Sequence, residues 1–411
     1  MKVDKCRVCE ESQLFEILNY GKVVLADAFL DHTSEFDTEE KYPLALCICK
    51  NCSHLQIDEE INPEVLFRDY IYVTGVSDAV FKHAEHLYNS VTSLLQNPSG
   101  EVLKVYEPAS NDGTILNVFK QKGCDVLGIE PATNIAKIAN ERSIPTINEF
   151  FSEKTAKKLL KDSGPADVCI ARNVLAHVCE LHSFVKGLGL VLKKNGIGIV
   201  EVPHALNMYK QLQYDQVFHE HISYFTVFVL QRLFEMHNLK IFHVEEISIH
   251  GGSVRIFFQK DEADREIRSS VERAIQEEKN LGLDSMDAWK EFAKKVSTQK
   301  GLLLKELEKI KSEGKKIAVY GASGKGQSLL QFCEIGKQYI DFVVDKSPMK
   351  HGKFTPGTHI PVYSTTEIMK CKPDVILLCA WNFAEEIYSQ QSEYINQGGK
   401  LLHPIPLPHY L

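Results

Sequence analysis

The stretch Val105-Tyr106-Glu107-Pro108-Ala109-Ser110-Asn111-Asp112-Gly113 decides the fold. A short apolar run ends in an acidic residue, then comes a turn of Asn, Asp and Gly, then a helical segment. That order predicts the first strand of a parallel sheet, with a nucleoside cofactor lying across the carboxyl ends of its strands. The G-x-G-x-x-G order is missing, so this is not a dinucleotide fingerprint. Downstream, CDVLGIEPA, ADVCIARNVLAHV and GIGIVEVPH alternate with helical segments, which is the pattern of a doubly wound α/β sheet. Gly128-Ile129-Glu130-Pro131 places a carboxylate 17 positions after Gly113, where the two ribose hydroxyls of such a cofactor are held. Arg172-Asn173-Val174-Leu175-Ala176-His177 closes a further strand at the same edge. For His177 alone, a helix-start or core histidine is an equally good reading.

Working outward, Val80, Ala84, Leu87, Val91 and Leu94 repeat at helical spacing from about Ser77 to Leu95, and Asn97, Pro98, Ser99 and Gly100 end that helix. Residues from about Asp261 to Gly314 are charged with helical periodicity. Beyond them KKIAVYGASGKG, DFVVDK and DVILLCAW predict a second, smaller parallel sheet. The expected organisation is a small N-terminal module over 1–72, a Rossmann-like domain over 73–260, a helical connection over 261–312 and a Rossmann-like domain over 313–411.

The chain has 411 residues, 47 basic and 55 acidic, hence a net charge of 47 − 55 = −8. This acidic balance argues against nucleic acid as the main partner. No apolar stretch approaches the ~18 residues of a membrane span, and MKVDKCRVCE lacks the apolar centre of a signal peptide. The expected location is the cytoplasm, where the 11 cysteines read as thiols and metal ligands rather than disulfides. Cys6/Cys9 and Cys49/Cys52 form two C-x-x-C pairs, the arrangement of a closed, structural tetrahedral zinc site. Cys47 and His54 could substitute as ligands. The preferred reading makes Cys47 a core thiol on the alternating strand LALCICK, and His54 a surface imidazole.

Phe218-His219-Glu220-His221-Ile222-Ser223-Tyr224-Phe225 gathers two imidazoles and a carboxylate into three residues, a composition suited to proton transfer. In an extended chain His219 and His221 would share one face, with Glu220 opposite. Metal binding is the rival reading, but no third ligand lies near in sequence. His250-Gly251-Gly252-Ser253-Val254-Arg255 and Tyr320-Gly321-Ala322-Ser323-Gly324-Lys325-Gly326 each bring backbone amides together with a cation, as diphosphate recognition requires. The second lacks the spacing of an ATPase loop, and helix–strand packing alone would also explain it.

With these motifs in order, the chain resembles the three-domain sugar C-methyltransferases, which act on nucleotide-linked 4-keto-deoxysugars. The resemblance spans essentially the whole length: C-R-x-C at Cys6, P-L-x-L with C-x-x-C through Cys52 and Gln56, S-N-D-G at Ser110, G-I-E-P-A at Gly128, R-N-V-L-A-H at Arg172, H-E-H-x-S-Y-F at His219, H-G-G-S at His250, Y-G-A-x-x-K-G at Tyr320 and P-G-T-H-I-P at Pro356. It implies an N-terminal zinc module, a central S-adenosylmethionine (SAM) domain and a C-terminal Rossmann-like domain that helps hold the sugar nucleotide. It implies SAM contacts from Glu107, Asn111, Gly113, Glu130 and Asn173, with Phe150 or Phe151 against the adenine. Arg255, Tyr320, Ser323, Lys325, Lys350 and His359 are implied for the nucleotide-linked sugar, dTDP- or GDP-borne.

A hydrogen beside a ketone is acidic because the enolate carries its charge on oxygen. A positioned base can remove it, and the carbon, C3 by resemblance, takes the methyl group. The expected base is His221, since imidazole is largely neutral near its ordinary pKa of about 6.5. By resemblance Glu220 orients it or replaces it, and His177 and Tyr72 line the site. Many relatives carry tyrosine where this chain has Phe218, so no phenol acts there. Two other functions fit parts of the pattern. A SAM-dependent O- or N-methyltransferase of another small molecule has no need of the H-E-H cluster, and a non-catalytic sugar-nucleotide scaffold has no need of intact Glu130, Glu220 and His221. The sequence does not fix the oligomeric state.

Overall fold

The computed structural model describes residues 1–68, 70, 73–76, 78–95 and 100–411. Its centre is a seven-stranded sheet in the order Leu239–Ile247, Ser253–Lys260, Leu192–Pro203, Ala166–Arg172, Lys104–Pro108, Asp125–Ile129, Thr146–Ile147. The five strands from Leu192–Pro203 onward run parallel, and the hairpin Leu239–Lys260 adds antiparallel at one side. Its inner strands bury residues on both faces, Val168, Cys169, Ile170 and Ala171 in one and Ile197, Ile199, Val200 and Val202 in the next. Such runs of burial follow from helices covering both sides of a parallel sheet. Helix Asp78–Leu95 places Ala84, Leu87 and Val91 against one face, as its periodicity predicts. Leu181, Val185 and Leu188 pack on the other. Gly198 is required where strands meet tightly, since a Cβ there would lie 1.9 Å from the Phe258 ring.

A four-stranded antiparallel sheet forms the N-terminal module, in the order Leu14–Val24, Lys41–Cys49, Leu55–Ile57, Ser223–Tyr224. Its last strand comes from the chain just after the H-E-H cluster, so this module holds that cluster from below. The C-terminal sheet runs Val362–Ser364, Phe342–Asp345, Ile317–Tyr320, Val375–Leu378, Lys400–His403, His409–Tyr410, all parallel but the last. Helix Met286–Ser312 buries Trp289, Phe292, Val296, Leu303 and Leu307 in a core shared with Leu44, Leu46 and Ile48 of the N-terminal sheet and Val319 and Leu377 of the C-terminal one. Burial of that many large side chains, at about 1.5–3 kcal/mol each, joins the outer sheets into one framework. No helix among the described residues is long and apolar enough to cross a membrane.

Candidate active site

The Sγ atoms of Cys6, Cys9, Cys49 and Cys52 all lie within 4.8 Å of one another, with Cys6–Cys52 and Cys9–Cys49 at 3.5 Å. Four sulfurs at 2.3 Å around one ion stand about 3.8 Å apart, so the cluster has the size of a tetrahedral zinc site. No water or substrate position remains open in such a set. Cys47 is a buried thiol, its pKa pushed up to about 12 by burial. The reading of His54 as a surface imidazole is corrected. His54 is fully buried, its Nε2 is 3.2 Å from Ser223 Oγ, and burial lowers its pKa to about 3.

At the carboxyl edge of the central sheet, Ala109, Asn111 and Gly113 all take positive φ (55°, 51° and 75°), folding the Asn-Asp-Gly turn back over the strand end. A Cβ on Gly113 would meet Ile144 at 2.9 Å. Asp112 fixes the turn by accepting from Thr114 Oγ1 at 2.7 Å and Arg142 Nη1 at 2.5 Å. The Asn111 side chain accepts from Thr74 N at 2.8 Å. Glu130 Oε2 accepts from Asn111 N and Oε1 from Ala132 N, both at 2.8 Å. Burial raises the pKa of this carboxyl and those amides oppose the rise. Each oxygen keeps a lone pair for a further donor. Glu107 Oε2, Ser110 Oγ and Asn173 Oδ1 are buried without a hydrogen-bond partner, and burial pushes the Glu107 carboxyl up to about 8 against the pull of Arg172. Acceptors left without donors cost stability, and the diol and ammonium of SAM supply such donors. The residues fit that cofactor. Of the two aromatic candidates, Phe151 is packed edge-on against Phe184, while Phe150 lies beneath the Arg68 guanidinium, 4.8 Å from its ring centre.

The H-E-H cluster is a turn, which corrects the extended reading. His221 N donates to Phe218 O at 2.9 Å, and the three side chains diverge. His219 turns down to the N-terminal module, with Nε2 2.9 Å from Pro43 O and its ring edge-on to Tyr42. Glu220 accepts from the Tyr70 hydroxyl at 3.2 Å. His221 packs against His177, ring centres 4.8 Å apart, and against Phe218 at 4.3 Å. Burial first, then the neighbouring Asp27 carboxyl, hold Glu220 well above the usual carboxylate range, while Tyr70 and Lys350 pull the other way. Burial lowers His177 to about 4. Asp27 and Tyr70 escaped the sequence reading, and Tyr72 lies outside the described residues.

The residues expected around the diphosphate separate. Ser323 caps helix Gly324–Phe332 by accepting from Gly326 N at 3.2 Å, and a Cβ on Gly324 would lie 3.1 Å from the Phe218 ring. The glycine turn therefore faces the H-E-H cluster directly. Lys350 Nζ donates to Ala322 O at 2.7 Å. Lys325 lies over the Trp381 ring at 5.3 Å, beside buried Asp215, and the Tyr320 hydroxyl is buried without a partner. His359 is directed elsewhere: it pairs with Glu39 and stacks on Phe36 at 4.0 Å. The glycine turn at Gly251–Gly252 is a packing element, since a Cβ on Gly251 would lie 2.5 Å from Trp381.

Arg255 is corrected most fully. It is 0% exposed and stands in a row across four adjacent strands, Glu245–Arg255–Glu201–Arg172, each directly opposite the next. Its Nε donates to Glu201 at 2.6 Å and its Nη1 to Glu245 at 2.8 Å. A guanidinium so enclosed cannot reach a diphosphate.

Residues 248–406 match the family model of a C-methyltransferase C-terminal domain, 6–67 that of a domain described as zinc binding, and 82–244 that of a methyltransferase domain. The C-methyltransferase NovU of Streptomyces niveus is 32% identical over 409 residues, covering 100% of this chain and 97% of that protein. A ubiquinone biosynthesis O-methyltransferase of Azorhizobium caulinodans is 25% identical over 126 residues, 30% of this chain and 47% of that one. Among solved structures, the magnesium protoporphyrin IX methyltransferase of Synechocystis PCC 6803 with bound SAM aligns at a TM-score of 0.34 and 13% identity, covering 44% of this chain and 82% of that chain.

Proposed function

The chain belongs to the three-domain, SAM-dependent C-methyltransferases, and we propose that it methylates C3 of a nucleotide-linked 4-keto-6-deoxysugar. The observation that carries this reading is the divergent turn at Glu220 and His221, set between the carboxyl edge of the central sheet and the glycine turn at Ser323–Gly324. His221 takes the proton from C3; the C–H electron pair moves into the C3–C4 bond and the ketone π pair onto oxygen. SAM supplies an electrophilic methyl group whose bond to sulfur breaks as the new carbon–carbon bond forms. The oxygen electron pair then re-forms the C4 carbonyl, the sulfonium charge is neutralised as the methyl leaves sulfur, and His221 releases the proton it took from C3 to water.

Glu130 holds the ribose hydroxyls in this scheme, and Glu107 and Asn173 receive the amino-acid end of SAM. Their unused buried acceptors support those roles. Phe150 meets the adenine, and Ser323, Lys325 and Lys350 face the diphosphate. His177 confines the His221 ring.

Labelled SAM and a panel of dTDP- and GDP-4-keto-6-deoxysugars, incubated with the enzyme in deuterated water and read by mass spectrometry, test the reading. A product heavier by one carbon-bound methyl group is expected, with loss of both methylation and deuterium uptake in His221→Asn. Methylation on oxygen or nitrogen, or no mass change across the panel, overturns it.

A further inference from the structure

Asp27 lies outside every motif of the sequence, in the tight turn that follows strand Leu14–Val24, where Ala28 N donates to Leu25 O and Phe29 N to Asp27 O. That turn is locked to the C-terminal sheet's first helix: Gln331 Oε1 accepts from Val24 N at 2.8 Å, and Gln331 Nε2 donates to Val24 O at 3.2 Å. Two residues on, Phe29 lies under the Lys350 ammonium, 5.3 Å from its ring centre. The turn thus delivers a carboxyl from the N-terminal module to the Glu220 side chain, within hydrogen-bonding contact of it.

Among the described residues, the groups facing Glu220 are Asp27 from this turn, the Tyr70 hydroxyl from the preceding linker, Lys350 from the short helix Pro348–Lys350, and His177 behind the adjacent His221. Lys350 does not neutralise the two carboxyls, because its ammonium is held by Ala322 O at 2.7 Å and stands 3.9 Å from Asp345. Buried, with the Asp27 carboxyl set against it, Glu220 holds its proton more readily than a free carboxyl does. An ionised Glu220 would also repel the enolate that the reaction creates.

We propose that Asp27 is a positioning residue for this reaction: set against Glu220, it keeps that carboxyl neutral, so that Glu220 donates a hydrogen bond to the ketone oxygen while His221 accepts the carbon-bound proton. The inference rests on the C-methyltransfer reading above. The Glu220 proton stays on its own oxygen throughout, and the only proton moved is the one His221 takes from carbon and returns to water. The zinc module acquires a chemical part, because the partner carboxyl is its own.

The test is the pH profile of kcat/KM for full-length wild type, Asp27→Asn, Glu220→Gln and Glu220→Ala, with each variant's fold checked by thermal unfolding. Removing the like charge should move the alkaline limb to lower pH by about one unit or more in Asp27→Asn. Glu220→Gln, whose amide still donates, should retain most of the turnover and lose that limb, whereas Glu220→Ala should lose on the order of 10²–10³ in kcat, the usual cost of one donor to a developing oxyanion. Superimposable wild-type and Asp27→Asn profiles, or a Glu220→Gln as inactive as Glu220→Ala, would overturn the proposal. Infrared titration of the protonated-carboxyl stretch in the enzyme without substrate separates this from the functional reading. A band at neutral pH, lost in Glu220→Gln and titrating lower in Asp27→Asn, supports the pair even if no sugar is methylated, and its absence in wild type refutes the pair even if sugars are.

Discussion

Replacing Arg255 with Met tests whether this residue belongs to the substrate or to the sheet. The substitution keeps much of the side chain's length and deletes donors to Glu201, at 2.6 Å, and Glu245, at 2.8 Å, with close contacts to His86 and His83 at 3.1 and 3.2 Å. Glu245 is partly open to water and retains Ser90 at 3.1 Å, so the loss falls on Glu201, which has no exposure. Burial pushes the Glu201 carboxyl up, and Arg172, His83 and Arg255 together outweigh it and hold that carboxyl below the usual range. With one of the three removed, breaking this buried pair should cost about 3–5 kcal/mol. At about 2–4 °C per kcal/mol for a domain of this size, the unfolding transition of the central sheet should fall by roughly 6–20 °C. The assay is thermal unfolding of wild type and Arg255→Met, followed below the transition by titration with sugar nucleotide. A normal transition temperature with a greatly raised KM for the sugar nucleotide would refute the argument and return Arg255 to the diphosphate.

Chelating the metal, or Cys52→Ala, should lower the unfolding temperature and abolish turnover together, because the zinc module's Pro43 and its strand partner Ser223–Tyr224 hold the H-E-H turn; metal content followed beside unfolding and activity checks this. Glu130→Ala should weaken SAM binding by roughly 10–100-fold, the worth of one or two hydrogen bonds to a charged acceptor, as read by calorimetry. Acid should destabilise the fold through His54: its native pKa of about 3 lies below the unfolded value of about 6.5. Its contribution is therefore complete above pH 6.5 and declines as pH falls toward 3. The loss is about 2 kcal/mol at pH 5, and urea unfolding of wild type against His54→Gln at pH 7.5 and pH 5 should show it as a flatter pH dependence in the variant.

The features legible in the sequence are those whose geometry is local. Two thiols three residues apart meet one ion, and a carboxylate at a strand's end lies at the sheet's carboxyl edge, wherever the rest of the chain goes. Cys6, Cys49, Glu107 and Glu130 could be placed for that reason. Arg255 could not, because its meaning depends on register. Glu201 is 54 residues earlier, and only the antiparallel addition of Ser253–Lys260 beside Leu192–Pro203 sets the two side chains opposite each other. A glycine pair followed by an arginine looks like a phosphate cradle until Trp381 is seen to occupy the space a Cβ would need.

The H-E-H cluster shows the same limit from within three residues. A strand would have paired His219 with His221 and set Glu220 apart. The 2.9 Å bond from His221 N to Phe218 O instead makes a turn, and a turn distributes side chains in three directions. His219 anchors to the zinc module, Glu220 meets the carboxyl and phenol brought by Asp27 and Tyr70, and His221 faces His177. Composition marked the cluster as a candidate for proton transfer, but the direction each side chain takes is set by Pro43, Asp27 and His177, on three elements that only the folded chain brings together. His219→Phe, which keeps a ring and loses the bond to Pro43 O, should loosen the turn and lower kcat while leaving SAM affinity unchanged. A His219→Phe enzyme with full turnover would show that the bond to Pro43 does not position Glu220 and His221.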